Sequence, residues 1–416
     1  MNRREFLQQS TAYSLVGMGL GIPAPSGEAA VKVAVVGTGG RGTDLIRKLS
    51  TIDRAIIVAI CDDYPPHLQR AQIAAGPQAR AFDDYSHMLE QIQPDAVIIA
   101  TPLYVHARMC LEALQAGCAV FCEKTMCYSI KEAKRLLKEV RQRKAIFQVG
   151  LQRRANPIYR QAKAMIDTGM LGQISAIKCQ WHRNNDWRRP VPVSRDHHDW
   201  KRLEHKLNWR LYASYSRGLM TELASHQLDV VNWFLDSPPT SAIGTGGIDF
   251  WQDGREVFDN LFCLYEYPAK NAEGQPYTVR VSYSSLQNNA FEGASELIMG
   301  SKGSLFITSK KGLFYQEKRA EEIGWTKEGR VERDADIITG GKTLKLSNDP
   351  WAHRSKPYEI DTESNDTRDE LIAFLDCVQR KDPDTICDVE QGWLDTATVM
   401  MGHEALTEEK KAFFPD

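Results

Sequence analysis

The sequence predicts an α/β protein whose N-terminal part is a doubly wound parallel sheet of the Rossmann type, followed by a second domain. Three observations point there. A short apolar run, Val31 to Val36, passes straight into Gly37, Gly39 and Gly42 at G-x-G-x-x-G spacing and then into a helical pattern. Further short apolar runs alternate with helical stretches as far as Val149, the pattern of a parallel sheet covered on both faces. Asp62 closes the second run about 20 residues after the last glycine, the interval at which such a unit places its ribose-binding acid. A chain of 416 residues, 42% hydrophobic and 25% charged, has material for two cores.

Residues 1–30 come first. Asn2-Arg3-Arg4-Glu5-Phe6-Leu7 resembles a twin-arginine export motif, and Thr11 to Ile22 is an apolar core too short to span a bilayer. This predicts a cleaved signal, an exported or periplasmic protein and no membrane span. The twin-arginine route carries folded proteins, so a cofactor is expected to be loaded before export and held tightly. The nine cysteines are scattered without a C-x-x-C pair, and folding in a reducing compartment makes them small core residues. A formal net charge of -2 gives no case for nucleic acid or an anionic membrane.

The glycine loop comes next. Gly37 allows a tight turn off the strand, Gly39 lets backbone approach a pyrophosphate, and Gly42 lets the helix pack close to the sheet. Gly40 and Arg41 complete the loop, and the helix N-terminus that follows suits phosphate. Asp62, at the end of the run Ala55 to Ile60, would accept from the adenosine ribose hydroxyls and repel a 2′-phosphate. NAD is therefore favoured, with NADP left open by Arg41. Asp95 to Ala100, Cys118 to Cys122 and Ala145 to Val149 are further strands, separated by helices at Tyr104 to Ala116 and Ser129 to Arg143. Thr101 and Pro102 leave one strand at its carboxyl end, and Glu123-Lys124-Thr125 leave the next, where doubly wound sheets bind ligands. A lysine there can reach a nicotinamide and a substrate hydroxyl together and stabilise alkoxide charge.

In GTGGRG, Asp62, Ala100-Thr101-Pro102 and Glu123-Lys124, followed by Val149-Gly150-Leu151-Gln152-Arg153-Arg154, the chain resembles the Gfo/Idh/MocA family from Val31 to the C-terminus. Thr125 stands where the family's Glu-Lys-Pro motif has proline. The resemblance implies a Rossmann domain over 31–152 and a C-terminal α/β domain over 153–416, built on a large, mostly antiparallel sheet that often serves for homo-oligomerisation. Arg153 lies in the crossover between them and is a candidate substrate contact.

Strand patterns at Ile174 to Trp181, Leu261 to Tyr267, Tyr277 to Ser284 and Ser295 to Met299 agree with that sheet. The stretch His182 to Tyr215 is rich in Arg, Trp, His and Asn, and rings that stack on sugar faces beside groups that bind hydroxyls suggest a carbohydrate cleft. His182, Trp187 and Trp209 are its candidate contacts; His197 and His198 are weaker ones. A surface insert is the alternative for this stretch.

Glu222, His226 and Asp229 stand at i, i+4 and i+7, one face if the segment is helical. A carboxylate beside an imidazole raises its basicity and fixes its tautomer, which suits proton exchange with a hydroxyl. The trio lacks the second histidine expected of a metal site at this spacing, so no metal is assigned. The family carries an Asp-x-x-x-His pair here, which makes Lys124 and His226 the implied catalytic pair, with Glu222 in place of the aspartate. Asp229 braces the helix or contacts substrate. Two more helical patterns, Asp366 to Arg380 and Val389 to Leu406, pack on the main body, while Ala320 to Pro357 is polar and weakly patterned.

The expected protein is an NAD(P)-dependent oxidoreductase acting on a secondary hydroxyl of a pyranose sugar or glycoside. Because no nicotinamide pool exists outside the cytoplasm, a redox-neutral glycoside hydrolase that oxidises, eliminates, hydrates and reduces is the alternative. The family's glycosidases carry a Tyr-Pro-Thr-His segment that this chain lacks, which favours the oxidoreductase. A non-catalytic sugar-binding protein is the third possibility.

Overall fold

The computed structural model describes residues 29–317, 357–361 and 364–415. The twin-arginine motif and its apolar core lie outside these residues, as does the polar stretch from Ala320 up to Pro357.

Six parallel strands form the first sheet: β1 (Val31–Val36), β2 (Ala55–Cys61), β3 (Arg80–Phe82), β4 (Ala96–Ile99), β5 (Ala119–Glu123) and β6 (Phe147–Gly150), in the order β3-β2-β1-β4-β5-β6. The chain winds outward in both directions from β1, so the crevice between the carboxyl ends of β1 and β4 is a topological switch point. Helices α1 (Gly40–Leu49), α2 (Pro65–Ala75), α3 (Tyr85–Ile92), α4 (His106–Gln115) and α5 (Ile130–Arg143) cover its faces. Coverage on both faces explains why β4 and β5 are buried at every residue and read as unbroken apolar runs. Ser129 caps the start of α5: its hydroxyl accepts from the Glu132 N–H at 3.3 Å and donates to the Glu132 carboxylate at 3.1 Å.

After β6 a short 3₁₀ turn, Gln152–Ala155, leads to α6 (Pro157–Asp167), which Asn156 caps by accepting from the Ile158 N–H. The second sheet has nine strands: β7 (Ile174–Asn184), β8 (Ser241–Gly247), β9 (Asn260–Lys270), β10 (Pro276–Leu286), β11 (Asn288–Gly300), β12 (Gly303–Ile307), β13 (Lys311–Gln316), β14 (Tyr358–Asp361) and β15 (Ala412–Phe413). They lie in the order β14-β13-β12-β11-β7-β10-β9-β8-β15, and every pair is antiparallel except β7 with β10. This is the large, mostly antiparallel sheet that the resemblance implied. Side chains from α6, α8 (Ser225–Leu235) and α10 (Val389–Thr407) close its core from one face. The other face is left open, so β9 alternates buried Leu261, Cys263 and Tyr265 with exposed Phe262 and Leu264.

Helix α9 (Asp366–Arg380) crosses back to the first sheet, where Leu371, Phe374 and Leu375 join the core around Val33, Ile98 and Phe121. The nine cysteines are buried and unbridged, as expected of core residues. No described helix is long and apolar enough to cross a membrane.

Candidate active site

The carboxyl edge of the first sheet and the segment running from β7 into α7 (Trp200–Leu207) enclose a cleft of about 1990 Å³. That exceeds the ~300–1,000 Å³ of an ordinary small-ligand pocket and leaves room for a dinucleotide and a substrate together. Gly37, Gly39, Gly40, Arg41, Asp62, Thr101, Pro102, Glu123 and Lys124 line it from one side, and Trp187, Trp209, Glu222 and His226 from the other.

The glycine loop has the backbone that a pyrophosphate requires. Gly37 sits at φ +80°, where a Cβ would come within 2.6 Å of the Thr101 nitrogen. At Gly42 a Cβ would lie 1.9 Å from the Gly37 carbonyl oxygen, so only glycine lets α1 pack on the turn. A Cβ at Gly40 would meet nothing within 4 Å, and one at Gly39 only the His67 ring at 3.6 Å. That space is the cradle, and no side chain caps the first N–H groups of α1, which are free to hold an anion.

Asp62 accepts from the Thr38 N–H at 2.7 Å on Oδ2 and from the Tyr64 N–H at 2.9 Å on Oδ1. Burial alone would raise its carboxyl, but His67 and these amides hold it below its ordinary value. A carboxylate retains lone pairs beyond these bonds for a diol. Arg41 faces elsewhere. Its Nε donates to Glu123 at 2.6 Å, its Nη2 to Glu370 on α9 at 3.1 Å and its Nη1 to Asp44 at 3.4 Å, so the cation that a 2′-phosphate would need is already paired with three carboxylates. The residues fit NAD.

Lys124 and Thr125 join the two halves of the cleft. The Lys124 Nζ donates to the Glu222 carbonyl at 3.1 Å and the Thr221 carbonyl at 3.4 Å; the Thr125 hydroxyl, which a proline would lack, donates to Thr221 at 2.9 Å. Burial pushes the Lys124 ammonium below its ordinary pKa, against the pull of Glu222 and Glu123. His106 was not singled out by sequence, since it opens an ordinary helical pattern. Its ring lies between the carbonyls of Thr125 (Nδ1, 3.0 Å) and Thr101 (Nε2, 2.9 Å), bridging the loops after β4 and β5. Two acceptors satisfy an imidazolium, and although burial opposes the charge, Cys122 and these carbonyls push its pKa up to about 9.

The segment Glu222–Asp229 departs from a regular α-helix. Met220–Ala224 forms a π-helical turn, a feature frequent at functional sites, before α8 begins at Ser225. Glu222 and His226 line the cleft; Asp229 does not. The expected pairing of Glu222 with His226 is not made. Glu222 accepts instead from the Arg210 Nε at 2.8 Å and the Ser216 hydroxyl at 3.2 Å. Burial opposes its charge, but Arg210 and Lys124 keep the carboxyl below its ordinary value. His226 packs on Trp181, centroids 5.1 Å apart, and its Nδ1 is enclosed without a partner among the described residues. Burial, then the charges of Lys124, Arg153, Arg41 and Arg183, hold its pKa well below the ordinary histidine value.

Three candidates are placed apart from the cleft lining. Asp229 forms a buried pair with Arg154, Arg153 bonds Asp366 of α9 at 2.6 Å, and His182 bonds the Phe291 carbonyl and the Ser284 hydroxyl, each at 2.9 Å. Trp187 and Trp209 do line the cleft, beneath Arg183 and Arg210 respectively. Far from being a loose insert, the stretch Arg183–Tyr215 is tied down: Arg188 pairs with Glu204 of α7 and, at 3.1 Å, with Asp253.

Comparisons with known proteins agree with this architecture. Residues 31–151 match the oxidoreductase family described as an NAD-binding Rossmann fold, and residues 163–412 match its C-terminal alpha/beta domain. An inositol 2-dehydrogenase from Rhodococcus jostii is 34% identical over 64% of this chain and 69% of its own length. Inositol 2-dehydrogenase 3 from Saccharopolyspora erythraea is 30% identical over 51% of this chain, which spans only 56% of that relative. Among solved structures, the WlbA dehydrogenase from Bordetella pertussis, in complex with NADH and UDP-GlcNAcA, superposes with a TM-score of 0.65 at 21% identity, over 93% of this chain and 99% of that one. Levoglucosan dehydrogenase in complex with NADH and levoglucosan gives 0.71 at 15% identity, over 93% and 100%. At such identities the likeness speaks for the fold. With both domain matches in place, the chain belongs to the Gfo/Idh/MocA family of oxidoreductases, with an NAD-binding Rossmann domain and the family's C-terminal α/β domain.

Proposed function

We propose that this protein is an exported dehydrogenase that keeps its NAD bound and oxidises a secondary hydroxyl of a pyranose sugar or glycoside. The observation that carries this is the meeting of Lys124 and a neutral, unpartnered His226 in the cleft that the glycine cradle opens into. Inositol and sugar dehydrogenases among the relatives support a ring polyol as substrate. The Trp181, Trp187 and Trp209 rings lining the cleft offer apolar surface to a sugar face.

A nicotinamide dinucleotide bound along Gly37–Gly42 and Asp62 supplies the hydride acceptor. His226, neutral because it is buried among cations, takes the hydroxyl proton on Nε2, since its Nδ1 is enclosed. Lys124 is held by the two carbonyls of the π-helical turn, and its remaining N–H stabilises the alkoxide. Glu222 stays ionised on Arg210 and supports the Lys124 charge. His106 holds together the loops that present Thr101 and Lys124.

Protein recovered from the periplasmic fraction is expected to release near-stoichiometric NAD on denaturation and to reduce that NAD when given a substrate sugar. Aglycone release from glycosides without net NADH would replace this with the redox-neutral hydrolase, and absence of any bound dinucleotide would contradict both.

The open face of the second sheet exposes Ile243 and Leu264, directly opposed across β8 and β9, with Phe262 also in β9 and Phe413 in the adjoining β15. We infer that this face joins copies of the chain, since burying each such side chain is worth about 1.5–3 kcal/mol. Leu264→Arg is expected to give monomers by light scattering; a wild-type protein that is itself monomeric would refute the interface.

A further inference from the structure

Arg183 is the unusual cation of the cleft. It lies near the end of β7 with its guanidinium carbon 5.3 Å from the Trp181 ring centre and 5.5 Å from that of Trp187, and it lines the cleft beside His226. Of the other arginines lining the cleft, Arg41, Arg108, Arg202 and Arg210 pair with carboxylates, and Arg70 and Arg189, which form no ion pair among the described residues, are exposed to water. Among the described residues nothing accepts a hydrogen bond from Arg183 or forms an ion pair with it. The guanidinium is largely taken out of water, and burial lowers its pKa. The acidic groups that reach it by charge are the Tyr283 phenol, which burial keeps protonated, and Glu222, which is bound to Arg210; Arg210 itself repels it.

A partly desolvated, unpaired guanidinium is costly, and two tryptophan faces offset the cost only in part. Held between those rings, its planar fork of donors is fixed in orientation and suits a bidentate oxyanion. The dinucleotide phosphates do not meet this need. Their cradle is the Gly37–Gly42 loop and the start of α1 on the first sheet, whereas Arg183 belongs, like Trp181, to β7 of the second sheet, and Trp181 packs on His226 of α8.

We propose that the substrate is an acidic sugar, carrying a carboxylate or an ester oxyanion close to the reacting hydroxyl, and that Arg183 is the residue that binds this anion. The inference rests on the dehydrogenase reading for the identity of the reacting hydroxyl; the anion site itself does not. An oxyanion seated against Arg183 also balances the cations that suppress protonation of His226, so neutral and acidic sugars differ in the charge they bring to the base.

The test compares binding to the NAD-containing protein of three uronic acids (glucuronate, galacturonate and mannuronate), of the matching neutral hexoses, and of sulfate and phosphate esters of the same hexoses. Calorimetry and tryptophan fluorescence read it, since Trp181 and Trp187 flank the site. A charge-assisted hydrogen bond worth about 1.5–3 kcal/mol corresponds to roughly 10- to 100-fold in Kd. At least one uronate or ester is therefore expected to bind about 10- to 100-fold more tightly than its neutral counterpart. The preference is expected to vanish in Arg183→Gln and to return in part in Arg183→Lys, with NAD content unchanged in both. Tight binding confined to uronates assigns a carboxylate, and binding confined to esters assigns sulfate or phosphate. No preference for any charged sugar, or one that survives Arg183→Gln, overturns the proposal. Oxidation of neutral hexoses alone in the same panel overturns the anion site but leaves the dehydrogenase standing. An anion preference without any reduction of NAD does the reverse.

Discussion

Lys124→Ala is expected to lower turnover by about 10²- to 10⁴-fold while leaving bound NAD in place, because the alkoxide loses its counter-charge at the moment it forms. The lysine does not hold its position through a carboxylate. Its Nζ is bound by the Thr221 and Glu222 carbonyls, so the π-helical turn fixes where the charge stands. Arginine at this position keeps the charge but not the compact ammonium geometry, and Lys124→Arg is expected to restore little. His226→Ala is expected to fall in the same range, and the double variant little further, since the two act in one step. Initial rates measured per bound NAD separate these losses from cofactor release. A rise in KM with kcat unchanged would show that Lys124 only positions the sugar.

The pH profile follows from the same surroundings. Burial and four cations depress the His226 pKa, so the base remains neutral below the usual histidine range, and the acid limb is expected well below 6.5. Burial also depresses the Lys124 pKa, which moves the alkaline limb below 10.5. His106 has the opposite sign. Its pKa rises to about 9, so the stability it contributes is full below the unfolded value of about 6.5 and is lost as pH rises through about 9.

Asp229→Ala is expected to cost about 3–5 kcal/mol of stability and to leave kcat of the remaining folded protein unchanged. Asp229 accepts from Arg154 through Nε at 3.0 Å and Nη2 at 2.8 Å, and Arg154 also donates to Gln391 of α10 at 2.9 Å. The pair thus fastens the crossover turn between the domains to α8 and α10. With the side chains only 6% and 1% exposed, removing the acid strands a buried guanidinium. Replacing both partners by apolar residues of similar volume is expected to recover most of the loss. Denaturant midpoints at unchanged slope measure the first effect and rates per folded molecule the second. A loss below about 1 kcal/mol together with a raised KM would move Asp229 into the substrate cleft instead.

What was legible in the sequence was what is local. Gly37, Gly42 and Asp62 announce their roles by spacing, because a turn, a close helix approach and a strand end each leave a signature within a few residues. The central strands are apolar throughout because both faces are covered. Strand β3 has three residues, two of them exposed, and β8 is SAIGTGG, so neither gives an apolar or alternating run.

The site was less legible where partners come from far along the chain. Glu222 faces His226 on a helical wheel, yet Arg210 and Ser216 take its carboxylate once the π-helical turn intervenes. Asp229 finds Arg154 across 75 residues, and Arg41 finds Glu370 across 329. No spacing rule reports such pairs. Arg183 is the converse: a residue in a run of charges becomes informative only when its neighbours prove to be paired and it does not.

Deuterium transfer tests the central claim most directly. The NAD-containing protein is mixed with a sugar deuterated at its hydroxyl-bearing ring carbons, chosen as the one that reduces the bound NAD, and the dinucleotide is released and weighed by mass spectrometry. The account predicts label on the nicotinamide ring, at a rate lowered by the Lys124 and His226 substitutions. Conversion of the sugar with no label on the dinucleotide, or label transfer untouched by Lys124→Ala and His226→Ala, would contradict it.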